Sequence, residues 1–223
     1  MTQVAGELGT EKISKLLIKQ AGPASIGILV MSLNMIVDTI FVGQWIGVLA
    51  IAAITVVLPI AFLISSIGMG IGIGGSSIIS RALGAGKSEK AFLTFGNQIS
   101  LTVILAILFV ILGNIFSAPI LNLFGAKGAI LPIASEYFGV IIYGVPFLAF
   151  VMMGNPTIRA EGKPKFAMYA MIVPAVLNVI LDILFIKVFD WGMYGAGLAT
   201  SLSYASCGLY ILYFFLSSKS EIK

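Results

Sequence analysis

Polar and apolar positions alternate on a coarse scale along this chain. Long apolar blocks are separated by short polar ones. Six blocks fall at roughly 22–44, 48–80, 91–116, 130–156, 166–188 and 193–217. Stretches of about 20 or more apolar residues are long enough to cross the roughly 30 Å of a bilayer's hydrocarbon. The pattern therefore predicts an all-α, polytopic membrane protein whose six transmembrane helices form one lobe. Lys87-Ser88-Glu89-Lys90, Gly125-Ala126-Lys127-Gly128, Glu161-Gly162-Lys163-Pro164-Lys165 and Asp190-Trp191-Gly192 break the blocks. Only the first break lacks charge, and a turn is read there from Gly43, Gln44, Trp45 and Gly47.

Ahead of the first block, EKISKLLIKQ (11–20) puts Ile13, Leu16 and Leu17 on one side and lysines on the other. That suits a short amphipathic helix at the membrane surface. The expected organisation is a cytoplasmic amphipathic segment over 1–20, the six-helix lobe over 21–217, and the start of a cytoplasmic linker or tail over 218–223. With the N-terminus inside, eleven of the thirteen Lys and Arg fall on the cytoplasmic side, leaving Lys127 and Lys187 outside. The positive-inside bias then predicts a multi-pass protein of the cell (plasma or inner) membrane with both termini cytoplasmic.

Composition narrows the chemistry. The chain is 59% hydrophobic and 10% charged, against about 25% charged residues in soluble domains. Its net charge of +4 is accounted for by the loop bias, so no nucleic-acid partner is expected. With no His and one Cys, an imidazole relay, an intrachain disulfide and a cysteine metal cluster are excluded. No nucleophile–base pair stands out either, so the chain is read as a non-enzyme without a cofactor.

One charge is out of place. Asp38 stands alone in the run from Ala21 to Ser80, within LNMIVDTIFVG (33–43), and LNVILDILFIK (177–187) repeats Leu, Asn, Ile, Asp and Phe at the same offsets. Both segments run from inside to outside, 144 residues apart, as an internal repeat of the same orientation relating spans one and two to spans five and six. Asn34 and Asp38 are i,i+4 neighbours on one helix face, as are Asn178 and Asp182. An ionisable group at membrane depth costs several kcal/mol and usually faces a bundle interior or aqueous cavity. Two carboxyls there can hold and release a proton. Alternatively Asp38, Asn178 and Asp182 supply the hard oxygen ligands of Na⁺. Tyr137, with Glu136 beside it, and Thr200 fall at compatible depth on spans four and six.

The remaining motifs have plainer readings. GMGIGIGGSS (68–77) formally contains a dinucleotide fingerprint, but it lies inside an uncharged span with no preceding strand. It is read as small-residue faces for close helix packing, with some loosening of the helix. Gly86-Lys87-Ser88 lacks the upstream glycine of a phosphate loop. Pro23, Pro59, Pro146, Pro156 and Pro174 each permit a kink. Met31, Met35, Met152, Met153, Met171, Phe41, Phe147 and Phe150 are candidates to line an adaptable apolar cavity, but most are read as plain helix packing or lipid contact.

Taken in order, PASIGILVMSLNMIVDTIFVGQWIG, GIGGSSIISRALGAGKSEKA, NPTIRAEGKPKFAM and LNVILDILFI resemble the multidrug and toxic compound extrusion (MATE) family of the MOP superfamily, nearest its DinF-like archaeal and bacterial branch. The resemblance runs from about Leu16 to Ser217. It implies a cation-coupled antiporter that exports drug-like, often cationic or amphipathic compounds in exchange for H⁺ or Na⁺. It also implies coupling through Asp38, Asn178 and Asp182, with Tyr137 and Thr200 in the same constellation, and a first-helix bend at Pro23; Asn34 joins them on the internal repeat and its helical spacing. The family has two six-helix lobes, so a second lobe is expected as partner, either a C-terminal half or a second copy. The alternatives are a lipid-linked precursor flippase of the same superfamily and a non-transporting membrane scaffold subunit.

Overall fold

A computed structural model describes residues 12–217 together with Ser220 and Ile222. It is all-helical. Span one is Ile13–Trp45, span two Val48–Gly84, span three Ser88–Ile115 and span four Ile130–Ala160. Span five is α-helical over Pro164–Asp182 and π-helical over Ile183–Val188, and span six is Gly192–Leu216. All six are long and apolar enough to cross a membrane. The predicted tail over 218–223 falls outside the described residues except for 220 and 222, as does the N-terminal segment up to residue 11.

Three boundaries differ from the sequence reading. Residues 13–20 belong to the same helix as span one, because nothing between Lys12 and Trp45 ends it and Pro23 is accommodated within it. Gly43, Gln44 and Trp45 are helical, not a turn. The connection to span two is only Ile46 and Gly47, and Gly47 supplies the sharp reversal with φ 130°. A short helix, Ser117–Leu123, follows span three and is anchored by the fully buried Leu121.

Span four is the hub, with 61% of its apolar window buried against 11% for span one. Its contact with span two depends on glycine. A Cβ at Gly68 would lie 2.8 Å from the Ala149 carbonyl oxygen, and one at Gly72 only 2.6 Å from that of Met153. Backbones this close leave no room for a side chain. Gly75 likewise makes room for Gln98 of span three, whose Nε2 donates to the Ile71 oxygen at 2.8 Å and the Gly72 oxygen at 3.2 Å. The glycine run is therefore a packing surface within one continuous helix.

Side chains close the bundle in two clusters. Val42, Ile64, Phe138 and Ile142 anchor one at the end carrying the span one–two turn, hereafter the far end. Ile79, Phe95, Met153, Ile158, Ile211 and Phe214 anchor the other at the N-terminal end. Met153, a cavity candidate from sequence, is fully buried core, and Phe41 stacks on Trp45 with centroids 4.3 Å apart. At the N-terminal end Ser220 Oγ donates to the buried Glu161 at 3.0 Å, and Ile222 packs into the second cluster.

Candidate functional site

Spans one and five lie side by side and parallel, so residues 144 apart meet in register. Asn34 Nδ2 donates to Asn178 Oδ1 at 2.9 Å and to the Ala175 carbonyl at 3.2 Å. One turn further along, the carboxyl groups of Asp38 and Asp182 face each other within hydrogen-bonding reach. The internal repeat thus closes on itself: equivalent asparagines bond and equivalent aspartates confront.

Among the described residues no donor reaches the buried oxygens of this pair. Asp38 Oδ1 and both Asp182 oxygens are buried without a hydrogen-bond partner, and so is Asn178 Nδ2. Asp182 is fully buried, whereas Asp38 is half-buried. Two ionised carboxylates at such a distance repel strongly in a medium of low dielectric. Buried charges persist when they are paired or coordinate a cation. The geometry is satisfied by a proton shared between the two carboxyls or by a small cation between them.

Spans four and six supply the next layer. Tyr137 is buried, its hydroxyl within reach of the Thr200 side chain and within electrostatic range of both aspartates. Thr200 Oγ1 spends its hydrogen on the Ala196 carbonyl at 3.1 Å, so its oxygen is left to accept from Tyr137. Tyr204, which sequence reasoning missed, lies within electrostatic range of Asp38 and Tyr137. Its spacing was the available signal, since Thr200 and Tyr204 are i,i+4 on one face of span six.

Asp38, Asp182, Asn34, Asn178, Tyr137 and Thr200 are therefore gathered in one place. Glu136 is not among them. It is exposed and accepts from the Tyr194 backbone amide at 3.2 Å, placing a carboxylate at the start of span six. Pro23 lies half-buried within span one, fifteen residues before Asp38. Two carboxylates and amide oxygens can serve Na⁺. Among the described residues there is no cluster of three or more acidic, Cys or His side chains of the kind that holds a resident divalent metal.

The MatE family's sequence profile matches residues 23–184, from Pro23 to just past Asp182. The chain belongs to the MatE family. It is 28% identical over 205 residues to the probable multidrug resistance protein YoeA of Bacillus subtilis, covering 90% of this chain and 44% of that protein. To a protein named FAD transporter from Shewanella oneidensis it is 33% identical over 198 residues, covering 86% and 43%. Its fold superposes on a crystal structure of a MATE protein in complex with MaD3S with a TM-score of 0.91 at 29% identity, covering all of this chain and 50% of that one. The chain spans about half the length of the relatives it matches. As a MatE-family lobe it is a multi-pass membrane structure.

Proposed function

We propose that this lobe is the cation-coupling half of a multidrug efflux antiporter, with Asp38 and Asp182 as the coupling carboxyls. The observation that carries the reading is the donor-free, buried confrontation of the two aspartates. With a proton or Na⁺ between them the pair is neutralised and spans one and five stay together. Without it, repulsion and the demand for hydration favour their separation, so occupancy biases one conformation over the other. Asn34 and Asn178 hold the two helices in register, while Tyr137 and Thr200 line the site from the opposite side. Pro23 is the point in span one where a bend is easiest. The N-terminal end of the bundle is cytoplasmic on the charge count, which puts the aspartates in the outer half of the membrane.

Drug-like cationic or amphipathic compounds fit this reading, since the buried charges of the site are acidic. An anionic cargo, of the kind named for the Shewanella relative, or a lipid-linked precursor would call for cations facing the same space, and the site has none among its described residues. A second six-helix lobe completes the transporter, because alternating access needs two bodies rocking about a cavity. A scaffold role would leave the aspartates replaceable.

The test is cation-driven efflux of a cationic dye by the two-lobe transporter containing this chain. Asp38→Asn and Asp182→Asn are each expected to reduce gradient-driven efflux to the level of vesicles without protein. Full coupled efflux by both variants overturns the reading.

A further inference from the structure

Span five does not continue as an α-helix past Asp182. The next residues, Ile183–Val188, form a π-helical turn, sealed by Phe189 N–H to the Leu184 oxygen and Trp191 N–H to the Phe185 oxygen, both at 2.9 Å. A π turn accommodates one extra residue within a helix, and such turns are frequent at functional sites. Here two features hold it. Span six presses Gly195 against it, where a Cβ would sit 3.1 Å from the Phe185 carbonyl carbon and oxygen. Phe185 stacks on Trp191 and Phe189 meets the same indole at a tilt, each with centroids 5.1 Å apart.

The turn also reaches back to span one. Lys187 Nζ lies over the Trp45 ring, 5.3 Å from its centroid. Cation–π attraction at this range is a specific contact. Among the described residues no carboxylate pairs with Lys187, so the indole at the last residue of span one is its partner. Asp182 and Lys187 thus bracket a single turn: one end meets Asp38 two turns before the end of span one, the other meets Trp45 at that end.

We propose that Lys187 is a positioning residue for cation coupling, carrying the state of the Asp38–Asp182 pair through the π turn to the far end of span one by way of Trp45. The inference rests on the coupling role given above to the two aspartates, and it adds the route by which their occupancy moves the end of the helix. A π turn is suited to this because a one-residue change of register shifts everything beyond it. Neutralising Asp182 changes what its side of the turn must satisfy, and Lys187 is five residues along, on the same turn.

The chain carries its own probe. Trp45 and Trp191 are its two tryptophans, so Trp191→Phe leaves Trp45 as the sole indole of this lobe. In nanodiscs, Na⁺ is added at fixed pH, or the pH is lowered without Na⁺, while Trp45 emission and the infrared band of the carboxyl groups are followed together. The groups facing the pair are Asn34, Asn178, Tyr137, Thr200 and Tyr204; the acids at the far end are Glu136 and Asp190. Asp38→Asn/Asp182→Asn in the same background subtracts the response of those other groups.

The expected result is a Trp45 shift that is lost in the doubly substituted chain and lost in Lys187→Gln, while Lys187→Gln retains its carboxyl signal. Lys187→Arg, which keeps a cation over the ring, restores the shift. A full Trp45 response in Lys187→Gln overturns the proposal and leaves the coupling reading standing. Absence of any carboxyl signal to H⁺ or Na⁺ in the unsubstituted chain overturns both.

Discussion

Span one and span five share the LN…D pattern, run parallel and meet through it, yet the molecule holds them differently. Asp182 is fully buried and Asp38 half-buried. Span five has 33% of its apolar window inside the bundle, three times the 11% of span one. Span five is wedged against Gly195 of span six through its π turn, while span one remains α-helical to Trp45 and fully buries only Gly27 and Val42. Identical residue patterns thus acquire unequal roles from their surroundings. The less-held helix of a pair is the one with the lower cost of movement. Within this chain span five is the more firmly held of the pair, and on the coupling reading proposed above the motion falls on span one.

The largest effect that can break this asymmetry is on stability. Asp182 contributes two buried oxygens without donors, and Asp38 contributes one on a half-buried side chain. Asp182→Asn removes the more costly group and offers an amide donor to Asp38. Asp38→Asn offers a donor to Asp182 but leaves its second oxygen orphaned. At neutral pH both substitutions are expected to raise the melting temperature, Asp182→Asn by the larger amount. An orphaned buried polar group costs about 1–3 kcal/mol, and roughly 2–4 °C accompanies each kcal/mol in a chain of this size. Cys207, the sole cysteine and 3% exposed, reports unfolding through its reaction with a thiol-specific dye. Equal shifts would remove the distinction between anchor and moving helix.

Much of this pairing was legible in the sequence, for a definite reason. An apolar block of membrane-spanning length and a lone carboxylate within it are properties of one segment, so both show without knowledge of any neighbour. Asn34, Asn178, Tyr137 and Thr200 followed from helical spacing and depth. The π turn did not, because ILFIKV has no distinctive composition and its register depends on Gly195 and the aromatic stack around Trp191. Tyr204, one turn beyond Thr200, did not stand out because only the fold brings it near Asp38. The span one–two turn was placed too early because a helix end without charge or proline leaves glycine as the only marker, and only Gly47 of the two glycines there reverses the chain.

A smaller effect sharpens the in-register meeting of the two helices. Asn34→Ala removes two hydrogen bonds, to Asn178 and Ala175. Such bonds contribute about 0.5–1.5 kcal/mol each in water-soluble proteins and average about 0.6 kcal/mol between membrane helices. A fall of roughly 1 kcal/mol in stability is expected. Asn178→Ala should cost less, since its Nδ2 has no partner to lose. In the double variant the losses should fall short of additive, because the shared bond is counted once. Additive losses would mean that the asparagines act independently of one another.

The smallest effect lies at the other end of the same helix pair. A Cβ on Gly27 of span one would come 2.6 Å from Met171 Sδ of span five. That overlap equals the 2.6 Å between a Cβ on Gly72 and the Met153 carbonyl oxygen, but the two obstacles differ in kind. A thioether on a flexible side chain can swing aside, whereas a backbone carbonyl in the span four helix moves only with the helix. Replacing glycine by alanine within a helix also returns about 1 kcal/mol of propensity. Gly27→Ala is therefore expected to leave the melting temperature within a few degrees of the unsubstituted chain. Gly72→Ala should lower it by the equivalent of the roughly 1–3 kcal/mol that overpacking costs. A loss at Gly27 as large as at Gly72 would show spans one and five to be locked at their N-terminal end too, leaving only the segment beyond Asn34 free to move.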